Sequence, residues 1–540
     1  MNPSPFSGLL NLLAPPEPAR SDESALCAWA SDDAPPEYAD DAAPPCVTHF
    51  DPQHVFWAMH NLPALEARQH FLISGVIGSG KTVTIQLFLQ SIAPRFGPRA
   101  STPEQLIVFD AKGDMVSLLA ALGLPPTAEN VWILNPFDAR SAVWDLSEGV
   151  RSPAMARYIA KLIVPEEKNS SAPYFTDAAR ELIFATIMAL NYVAPGRWTL
   201  RDLLCALDSL DSIAAVTAQH SRAHQLADRI LSDDKHAPSV LSTLATKIGQ
   251  FESVAALWHT NTAGRRFSIE RFLAAPGVLI LGNDPVLRDS FWPINALLLK
   301  ALTQEILRRP NTPGVRHWFV LDEFRAMQRV ECVHDLLNLG RSKGVSVLLG
   351  IQSLEGLIEV YGEQVANDLL SQCAQKTFLR AGGPRTAEWA EKFFGRVRRT
   401  ETVVTESSGP GGQSISVQQS LQERSLFLGS FFLDLPLPRP GQDYMAVCDV
   451  PARQSIAILR RPFDDLLAWC RPPSAIPNVV PRPDADQTLQ PWTDAEKKVF
   501  CQPPSPAAAP ASPVPPPPSP PTVPPATASG VYLPPNRRKA

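Results

Sequence analysis

The sequence contains no apolar run long enough to cross a bilayer and no pattern of a secretory signal. A membrane-spanning helix needs about 20 consecutive apolar residues, and the best candidate, residues 182–194, is shorter and follows Arg180 and Glu181. The amino terminus has no basic segment followed by an apolar stretch, so a signal peptide is not expected. The sequence therefore predicts a cytoplasmic protein without a membrane span of its own.

Paired cysteines and an excess of positive charge are also lacking. The eight cysteines are scattered without a C-x-x-C pair, which favours free thiols in a reducing compartment over disulfides or a zinc site. The formal net charge is −5 at pH 7, so the chain as a whole does not attract nucleic acid. Any DNA contact would have to come from a local basic surface.

Proline is unevenly distributed along the chain. The 55 prolines are concentrated in residues 1–63 and again beyond Arg471. Segments of this composition bury too little apolar surface to offset the loss of chain entropy. We therefore expect a disordered Pro/Ala-rich arm at residues 1–48 and a disordered Pro-rich tail at residues 471–540, which would act as a tether or docking segment.

Between these ends, short apolar runs alternate with helical segments. The strand-like runs are residues 71–73, 106–109, 131–134, 278–281, 318–321, 345–349 and 377–379. This alternation is typical of βαβ units around a parallel sheet, whereas residues 148–266 show only helical spacing. The sequence predicts one α/β domain in two parts, residues 49–147 and 267–470, split by an all-α domain at residues 148–266.

Finer features are predicted inside these domains. Residues 400–425 alternate Thr and Val on either side of a Ser/Gly/Pro segment at residues 407–412, which predicts a hairpin with a mobile tip. The all-α domain is expected to contain helices at residues 155–163, 175–190, 200–210 and 213–230.

Residues 75–82 read Gly-Val-Ile-Gly-Ser-Gly-Lys-Thr, which fits the phosphate-binding pattern G-x-x-x-x-G-K-[ST]. The motif follows an apolar strand and opens a predicted helix, so backbone N–H groups and the helix dipole would cradle phosphates. Lys81 is expected to reach the β and γ phosphates of ATP, and Thr82 to ligate Mg²⁺. The predicted nucleotide-binding residues are Gly75, Gly78, Ser79, Gly80, Lys81 and Thr82.

A second apolar strand ends in two carboxylates, Asp322 and Glu323. A phosphate-binding loop alone neither places the metal nor activates water. Asp322 is expected to hold Mg²⁺, and Glu323 to orient or deprotonate the attacking water. The two motifs together predict a P-loop ATPase that uses ATP and Mg²⁺, and a small-molecule kinase would not need the second one.

An ordered series of further short motifs accompanies the two sites. Its segments are Asp322-Glu323-Phe324, residues 340–345, Gln352-Ser353, Tyr361-Gly362, Leu379-Arg380, residues 108–114, residues 135–138 and residues 174–180. This series resembles that of the TraG/TraD-type coupling proteins of type IV (conjugative) secretion, among the FtsK/HerA-like P-loop motor ATPases. The resemblance covers about residues 50–465, and Ala111 stands where the family's D-P-K-G-E segment has proline.

The resemblance implies a RecA-like motor domain with an inserted all-α domain, assembled as a homo-hexamer around a DNA channel and hydrolysing ATP at subunit interfaces. It implies that Arg341 reaches a neighbouring subunit's site to stabilise the transferring phosphoryl group, and that Gln352 senses the γ-phosphate. Asp110 and Lys112, at the carboxyl edge of the sheet, are weaker candidates because a structural turn explains them as well. Family members commonly begin with a transmembrane anchor, whereas this sequence begins with the Pro/Ala-rich arm.

The partners implied by the resemblance are DNA, single- or double-stranded, a relaxosome or other nucleoprotein, and secretion-channel components. The expected location is the cytoplasm, with a peripheral position at the inner membrane as an alternative. A DNA channel needs few charges and no sequence reading. The candidate basic residues are Lys343, Arg385, Lys392, Arg396, Arg398 and Arg399, each of which could equally belong to a solvated face.

Two other functions remain open at the level of sequence. One is an FtsK- or HerA-like DNA motor for processing, segregation or defence, with the same motor chemistry. The other is a nucleotide-switched scaffold, in which ATP orders a ring and the Pro-rich tail binds partners. The scaffold predicts slow ATP turnover that DNA does not stimulate.

Overall fold

A computed structural model describes residues 51–502, apart from residues 99, 101, 145, 166–172, 262–263, 284–287, 410–411, 452–454 and 484–487. The expected disordered arm at residues 1–48 and the tail beyond residue 502 lie outside the described residues. The strands are β1 (His54–Trp57), β2 (His60–Pro63), β3 (Phe71–Ser74), β4 (Gln105–Phe109), β5 (Val131–Leu134), β6 (Val143–Trp144), β7 (Arg266–Phe267), β8 (Gly277–Leu281), β9 (His317–Leu321), β10 (Val345–Ile351), β11 (Gln375–Phe378), β12 (Arg396–Gly409), β13 (Gly412–Ser425), β14 (Asp443–Val450) and β15 (Ser455–Pro462).

Nine of these strands form one sheet in the order β15-β14-β11-β3-β10-β9-β4-β8-β5. The seven strands from β11 to β5 are parallel, and β14 and β15 are added antiparallel at one edge. Each predicted strand of the α/β domain coincides with a strand of this sheet. The order leaves β10 between β3 and β9, which brings their three carboxyl ends together.

Apolar layers cover both faces of the sheet. Along β4, Leu106 and Val108 belong to one buried cluster, whereas Ile107 and Phe109 belong to another. Successive side chains of a strand point to opposite faces, so a continuous apolar run is what a strand covered on both sides requires. The second cluster is continuous with the core of the all-α domain.

The helices, in chain order, are α1 (Lys81–Ile92), α2 (Met115–Ala121), α3 (Leu146–Gly149), α4 (Pro153–Ile163), α5 (Pro173–Val193), α6 (Leu200–Leu207), α7 (Leu210–Thr217), α8 (Ser221–Leu231), α9 (Ala237–Ile248), α10 (Glu252–Thr260), α11 (Ile269–Ala274), α12 (Arg288–Arg308), α13 (Glu331–Leu339), α14 (Leu354–Tyr361), α15 (Glu363–Ser371), α16 (Pro384–Phe394), α17 (Gly429–Asp434), α18 (Phe463–Trp469) and α19 (Asp494–Cys501). Short 3₁₀ helices lie at Glu66–Gln69, Ala93–Phe96, Gly249–Phe251, Phe324–Met327 and Gly340–Lys343. No helix in the described ranges is long and apolar enough to span a bilayer.

Helices α4 to α10 form the all-α insertion, and its chain boundaries lie side by side, because β6 pairs with β7. The single helix predicted at residues 213–230 is wrong, since α7 ends at Thr217 and α8 begins at Ser221. His220 interrupts the helix because its ring nitrogen accepts the backbone N–H of Ala223 and caps α8. Ser209 caps α7 in the same way and ends the preceding helix early.

The predicted hairpin at residues 400–425 is confirmed and is longer than expected. β12 and β13 pair antiparallel from Arg396 and Ser425 to Gly409 and Gly412. They form a two-stranded sheet separate from the nine-stranded one. The two residues at the centre of the predicted mobile tip lie outside the described residues.

Residues 471–502 are here called the strap, and the part of it that the structure describes, without residues 484–487, differs from the disordered tail expected at this position. The strap leaves β15 and α18, passes along the nucleotide-binding half of the chain and ends as α19 on the all-α domain. Many of its backbone carbonyl groups accept hydrogen bonds from the rest of the chain. Proline removes N–H donors but keeps the carbonyl acceptor, so a proline-rich composition does not prevent docking onto donor side chains.

Arginines hold the strap at three positions. Arg140 donates to the carbonyls of Pro477 and Asn478, each at 2.9 Å. Arg482, within the strap, donates to the carbonyl of Leu257 at 2.9 Å. Arg201, which is 2% exposed, donates to the carbonyls of residues 490 and 491 and forms a two-armed ion pair with Glu496 of α19.

Candidate nucleotide-binding site

The phosphate-binding motif forms the turn between β3 and α1. Gly80 has φ 99° at the start of α1, and a Cβ there would lie 2.8 Å from the ring of Tyr444. Only glycine combines that backbone conformation with so close a neighbour. Lys81 is buried at the first position of α1 and donates from Nζ to the carbonyl of Gly75. This loop has the form of an anion cradle at a helix N-terminus.

Asp322, Glu323 and Gln352 reach this cradle from neighbouring strands. β9 ends at Leu321 and β10 at Ile351, and β10 lies directly beside β3. Gln352 Nε2 donates to Glu323 Oε2 at 2.5 Å. Glu323 has φ 57°, which is uncommon for a residue with a side chain and marks local strain of the kind that clusters at functional sites.

The charged groups around the cradle influence one another. Burial lowers the pKa of Lys81, and Lys112 adds to that effect, while Glu323 and Asp322 act in the opposite direction. Asp322 and Glu323 follow β9, and the phosphate cradle follows β3, so all three lie at the carboxyl edge of the sheet. The structure therefore brings together the predicted residues of the phosphate loop, Asp322, Glu323 and Gln352.

Lys112, only a weak candidate from sequence, lies at the centre of this arrangement. Its Nζ is 2.7 Å from Asp322 Oδ2 and 3.1 Å from Thr82 Oγ1. Burial opposes the charged form of Lys112, but Asp322, together with Asp114 and Glu323, outweighs burial and raises the pKa of Lys112. Asp114 is a neighbour without a role predicted from the sequence; burial and Asp322 raise its pKa, while Lys112 opposes them.

Asp110 has a structural part in the same turn. Its carboxylate accepts the backbone N–H groups of Gly113, Asp114 and Met115 at 2.8, 3.0 and 3.3 Å. Burial raises the pKa of Asp110 to about 6. Since the hydrogen bonds of Asp110 go to its own turn, it holds the loop that presents Lys112.

Arg341 lies away from the other predicted site residues. It is exposed in the 3₁₀ helix that precedes β10, and its carbonyl accepts two hydrogen bonds from Arg68. The seven residues of β10 separate it from Gln352, a distance of roughly 20 Å at 3.3 Å per residue. Arg341 therefore cannot reach the phosphate cradle of its own chain.

The predicted basic residues form two groups rather than one surface. Lys343 lies near Arg341, and its Nζ donates to the carbonyl of Arg309 at 2.9 Å. Four others lie on α16 and the start of β12, namely Arg385, Lys392, Arg396 and Arg398, and two of these pair with Glu363 and Glu423. The side chain of Arg399 lies outside the described residues.

Two contacts around the cradle were not expected from the sequence. Tyr444 of β14 is fully buried, and its hydroxyl lies 2.9 Å from Thr84 Oγ1 of α1. Gly350 of β10 leaves room for Asp322, because a Cβ there would lie 2.8 Å from Asp322 Oδ1. Neither residue belongs to a predicted motif, so only the pairing of β14 with β11 and of β10 with β9 identifies them.

The residues present fit a nucleotide phosphate with a divalent cation. Thr82 supplies an exposed hydroxyl at the start of α1, and Asp322 supplies a buried carboxylate. Within the described part of the chain, Asp322 Oδ1 is buried without a hydrogen-bond partner. Hydroxyl and carboxylate oxygens are the ligands that Mg²⁺ prefers, usually together with phosphate oxygens.

Comparison with known proteins identifies the family to which this fold and site belong. Residues 58–446 match the family described as the type IV secretion-system coupling protein DNA-binding domain. The coupling protein TraD of Escherichia coli (strain K12) is 23% identical over 378 residues, which cover 68% of this chain and 50% of TraD. The coupling protein VirD4 of Bartonella henselae is 22% identical over 302 residues, which cover 51% of this chain and 46% of VirD4. The chain thus spans about half the length of these curated relatives.

Solved structures of the plasmid coupling protein TrwB share the fold. The complex of TrwB with ADP and Mg²⁺ has a TM-score of 0.58 and 19% identity, and covers 81% of this chain and 94% of TrwB. The complex with the ATP analogue ADPNP has a TM-score of 0.56 and 18% identity over the same shares. The predicted RecA-like fold with an inserted helical domain is confirmed, and the chain belongs to the family of type IV secretion-system coupling proteins.

Proposed function

We propose that the protein is an ATP-dependent motor that moves DNA or a nucleoprotein and hydrolyses ATP at the interfaces of a homo-hexamer. One observation carries the proposal, namely the convergence of the phosphate cradle, Asp322, Glu323 and Gln352 at one edge of the sheet. The family assignment over residues 58–446 supports it. TrwB, which shares the fold, binds ADP with Mg²⁺ and an ATP analogue.

Each residue of the site has a distinct part in the proposed hydrolysis. The cradle and Lys81 bind the phosphates of ATP, and Thr82 and Asp322 hold Mg²⁺, which neutralises phosphate charge when it is bound. Glu323 orients the attacking water and accepts its proton. Gln352, held against Glu323, aligns that carboxylate and senses the γ-phosphate through its amide.

Arg341 completes the site of a neighbouring subunit in this proposal. Its position at the opposite end of β10 from the cradle supports action in trans, since a head-to-tail ring places one edge of a subunit against the other edge of the next. An arginine supplied in this way is worth about 10³-fold or more in related phosphoryl transfer.

The cargo and its partners are proposed by analogy with the family. We infer that DNA passes through the ring and that a relaxosome or other nucleoprotein binds the all-α domain. Secretion-channel components are the proposed partners at the inner membrane, where the protein would act from the cytoplasmic side. The group of basic residues on α16 and β12 is the proposed DNA-facing surface, because it places four cations on one helix and the following strand.

The first test is ATP hydrolysis by the purified full chain, alone, with single-stranded DNA and with double-stranded DNA. Turnover that DNA stimulates and that Glu323→Gln abolishes is the expected result. Glutamine keeps the shape of the Glu323 side chain but cannot act as a base. A Glu323→Gln variant that folds normally and lacks turnover therefore shows that the lost activity is not due to unfolding. Slow turnover indifferent to both DNA forms would reject the motor and favour the nucleotide-switched scaffold.

A mixing experiment tests the shared site. Lys81→Ala and Arg341→Ala should each be inactive alone, because one lacks the cradle lysine and the other lacks the arginine offered to its neighbour. Mixed in equal amounts and allowed to reassemble, they should regain about a quarter of wild-type turnover, since that share of head-to-tail interfaces pairs an intact cradle with an intact Arg341. Normal turnover by Arg341→Ala alone would refute action in trans.

A further inference from the structure

The side chain of Lys112 lies between the two residues to which the proposed function gives the divalent cation. Its single ammonium group is 2.7 Å from the Asp322 carboxylate and 3.1 Å from the Thr82 hydroxyl. No hydrogen bond joins Thr82 directly to Asp322 in the described part of the chain. The ammonium group therefore occupies the space in which these two oxygen ligands face each other.

The turn that carries Lys112 is built to hold it there. β4 lies directly beside β9, so the residues that follow β4 lie next to those that follow β9. Asp110 closes the turn through three backbone hydrogen bonds, and Gly113 adopts φ 73° within it. Lys112 is thus placed opposite Asp322 by the backbone and not only by attraction between the charges.

The two partners differ in how deeply they are buried. The side chain of Asp322 is 3% exposed, whereas that of Lys112 is 39% exposed. A buried carboxylate without a partner is strongly unfavourable, so Asp322 needs a cation. Lysine has a long flexible stem and an ammonium group that water solvates well, so Lys112 can withdraw into solvent when another cation takes over.

We propose that Lys112 is a displaceable internal cation, which neutralises Asp322 while the site holds no nucleotide and keeps divalent cations out until nucleotide delivers one. The inference rests on the proposed function for the identity of the site. A divalent cation on Asp322 and Thr82 would lie within a few ångströms of the ammonium group, where two positive charges repel strongly. Phosphate oxygens supply the extra ligands that make the exchange favourable, so metal binding follows nucleotide binding.

The test measures Mn²⁺ binding to the full chain without nucleotide, by electron paramagnetic resonance of the free ion. Wild type should bind Mn²⁺ weakly at this site. Lys112→Met should bind it about tenfold or more tightly, because the competing charge is gone. Lys112→Gln should shift in the same direction and covers the case in which the Met variant does not fold, since its amide can still donate to Asp322.

Three controls separate this site from general effects of charge. Lys112→Arg keeps the cation and should bind Mn²⁺ as weakly as wild type. Lys161→Met removes an exposed lysine from α4 and should also leave Mn²⁺ binding unchanged. Adding Asp322→Asn to Lys112→Met should abolish the gained binding.

Thermal unfolding gives a second readout that does not depend on turnover. Mn²⁺ should raise the melting temperature of Lys112→Met and leave that of wild type unchanged. If neither neutral variant binds Mn²⁺ more tightly than wild type, or if the gain survives Asp322→Asn, the inference is wrong. Failure of the proposed motor would appear instead in the DNA-stimulated turnover of the wild-type chain, which this test does not use.

Discussion

The phosphate cradle and the strap are held by opposite means. The cradle is eight consecutive residues, and its shape depends on the backbone of a few glycines. The strap spans more than thirty residues and depends on side chains far away in sequence, above all Arg140 and Arg201. A short motif therefore determines the first locally, while the second exists only because the folded core offers donors at matching positions.

The cradle and the strap therefore also differ in how a substitution destabilises them. In the cradle, a wrong residue introduces backbone strain at the place where phosphate must bind. In the strap, a lost contact leaves carbonyl and carboxylate groups without their protein donors, but these groups are partly exposed and the segment can detach into water. Damage to the strap is therefore limited by its own docking free energy, whereas damage to the cradle removes the site.

Between the cradle and the strap, the largest effect is expected in the cradle, for Lys81→Ala. Removing the lysine should lower ATP turnover by roughly 10²–10³-fold, the usual cost of losing one donor to a transferring group. Burial disfavours the charged form of Lys81, so the thermal stability without nucleotide should not fall. Steady-state kinetics measure the loss of turnover, and calorimetry measures the thermal stability. A variant that loses stability together with turnover would show that Lys81 also supports the fold.

Next in size is the contrast between Gly80→Ala and Gly78→Ala. Both glycines have positive φ, at 99° and 79°, but only Gly80 has the Tyr444 ring within 2.8 Å of an added Cβ. Each substitution should lower the free energy of unfolding by about 1–3 kcal/mol through backbone strain, and the larger decrease is expected for Gly80→Ala. Chemical denaturation and ATP-analogue affinity measure the difference, and equal losses would mean that the ring moves aside.

A smaller effect is expected for Arg201→Ala. It removes one side chain from two strap carbonyls and from Glu496, so docking of the strap should weaken by about 3 kcal/mol at most. Hydrogen exchange of residues 488–502 should rise sharply while exchange in the central sheet stays slow. The matched control is Arg385→Ala, whose pair with Glu363 is exposed on both sides and is worth less than about 1 kcal/mol.

The smallest effect concerns pH. Hydrogen bonds from Arg201 lower the pKa of Glu496 from 4.5 to about 2, so its contribution is complete above pH 4.5 and is lost as the pH falls towards 2. Fluorine NMR of a fluorotryptophan-labelled chain, with the Trp492 signal assigned by Trp492→Phe, should follow the release of the strap. In Glu496→Gln that part of the pH dependence should vanish, and an unchanged profile would assign the transition to other carboxylates.

Local patterns predicted most of the sheet and the main site residues. The strands at residues 106–109 and 318–321 are buried on both faces, so their composition identifies them without tertiary information. Asp322 and Glu323 were identifiable because carboxylates that end a buried strand must lie at its carboxyl edge. The roles of these residues stay predictions until the experiments above are done.

Other features depended on contacts that composition does not encode. Two helices ended earlier than their apolar spacing suggested, because Ser209 and His220 supply caps. The bridging position of Lys112 depends on the pairing of β4 with β9. The burial of Tyr444 depends on the antiparallel pairing of β14 with β11. The disorder predicted for residues 471–540 is wrong for the strap, because its low apolar content does not reveal the carbonyl groups that accept hydrogen bonds from Arg140 and Arg201.

The position of the strap restricts how the all-α domain can turn. The chain enters and leaves that domain through β6 and β7, which pair side by side, and two adjacent crossings act as a hinge with one axis of rotation. The strap is a third connection away from that axis. It starts on α1, where Gln86 and Gln90 contact Arg471, and ends against Arg201 of α6 and Gln219 in the turn after α7. The strap therefore adds a tether between α1 and the all-α domain to the apolar core that the domain shares with the sheet. Any rotation of the domain away from the sheet would have to open that core and also release the strap.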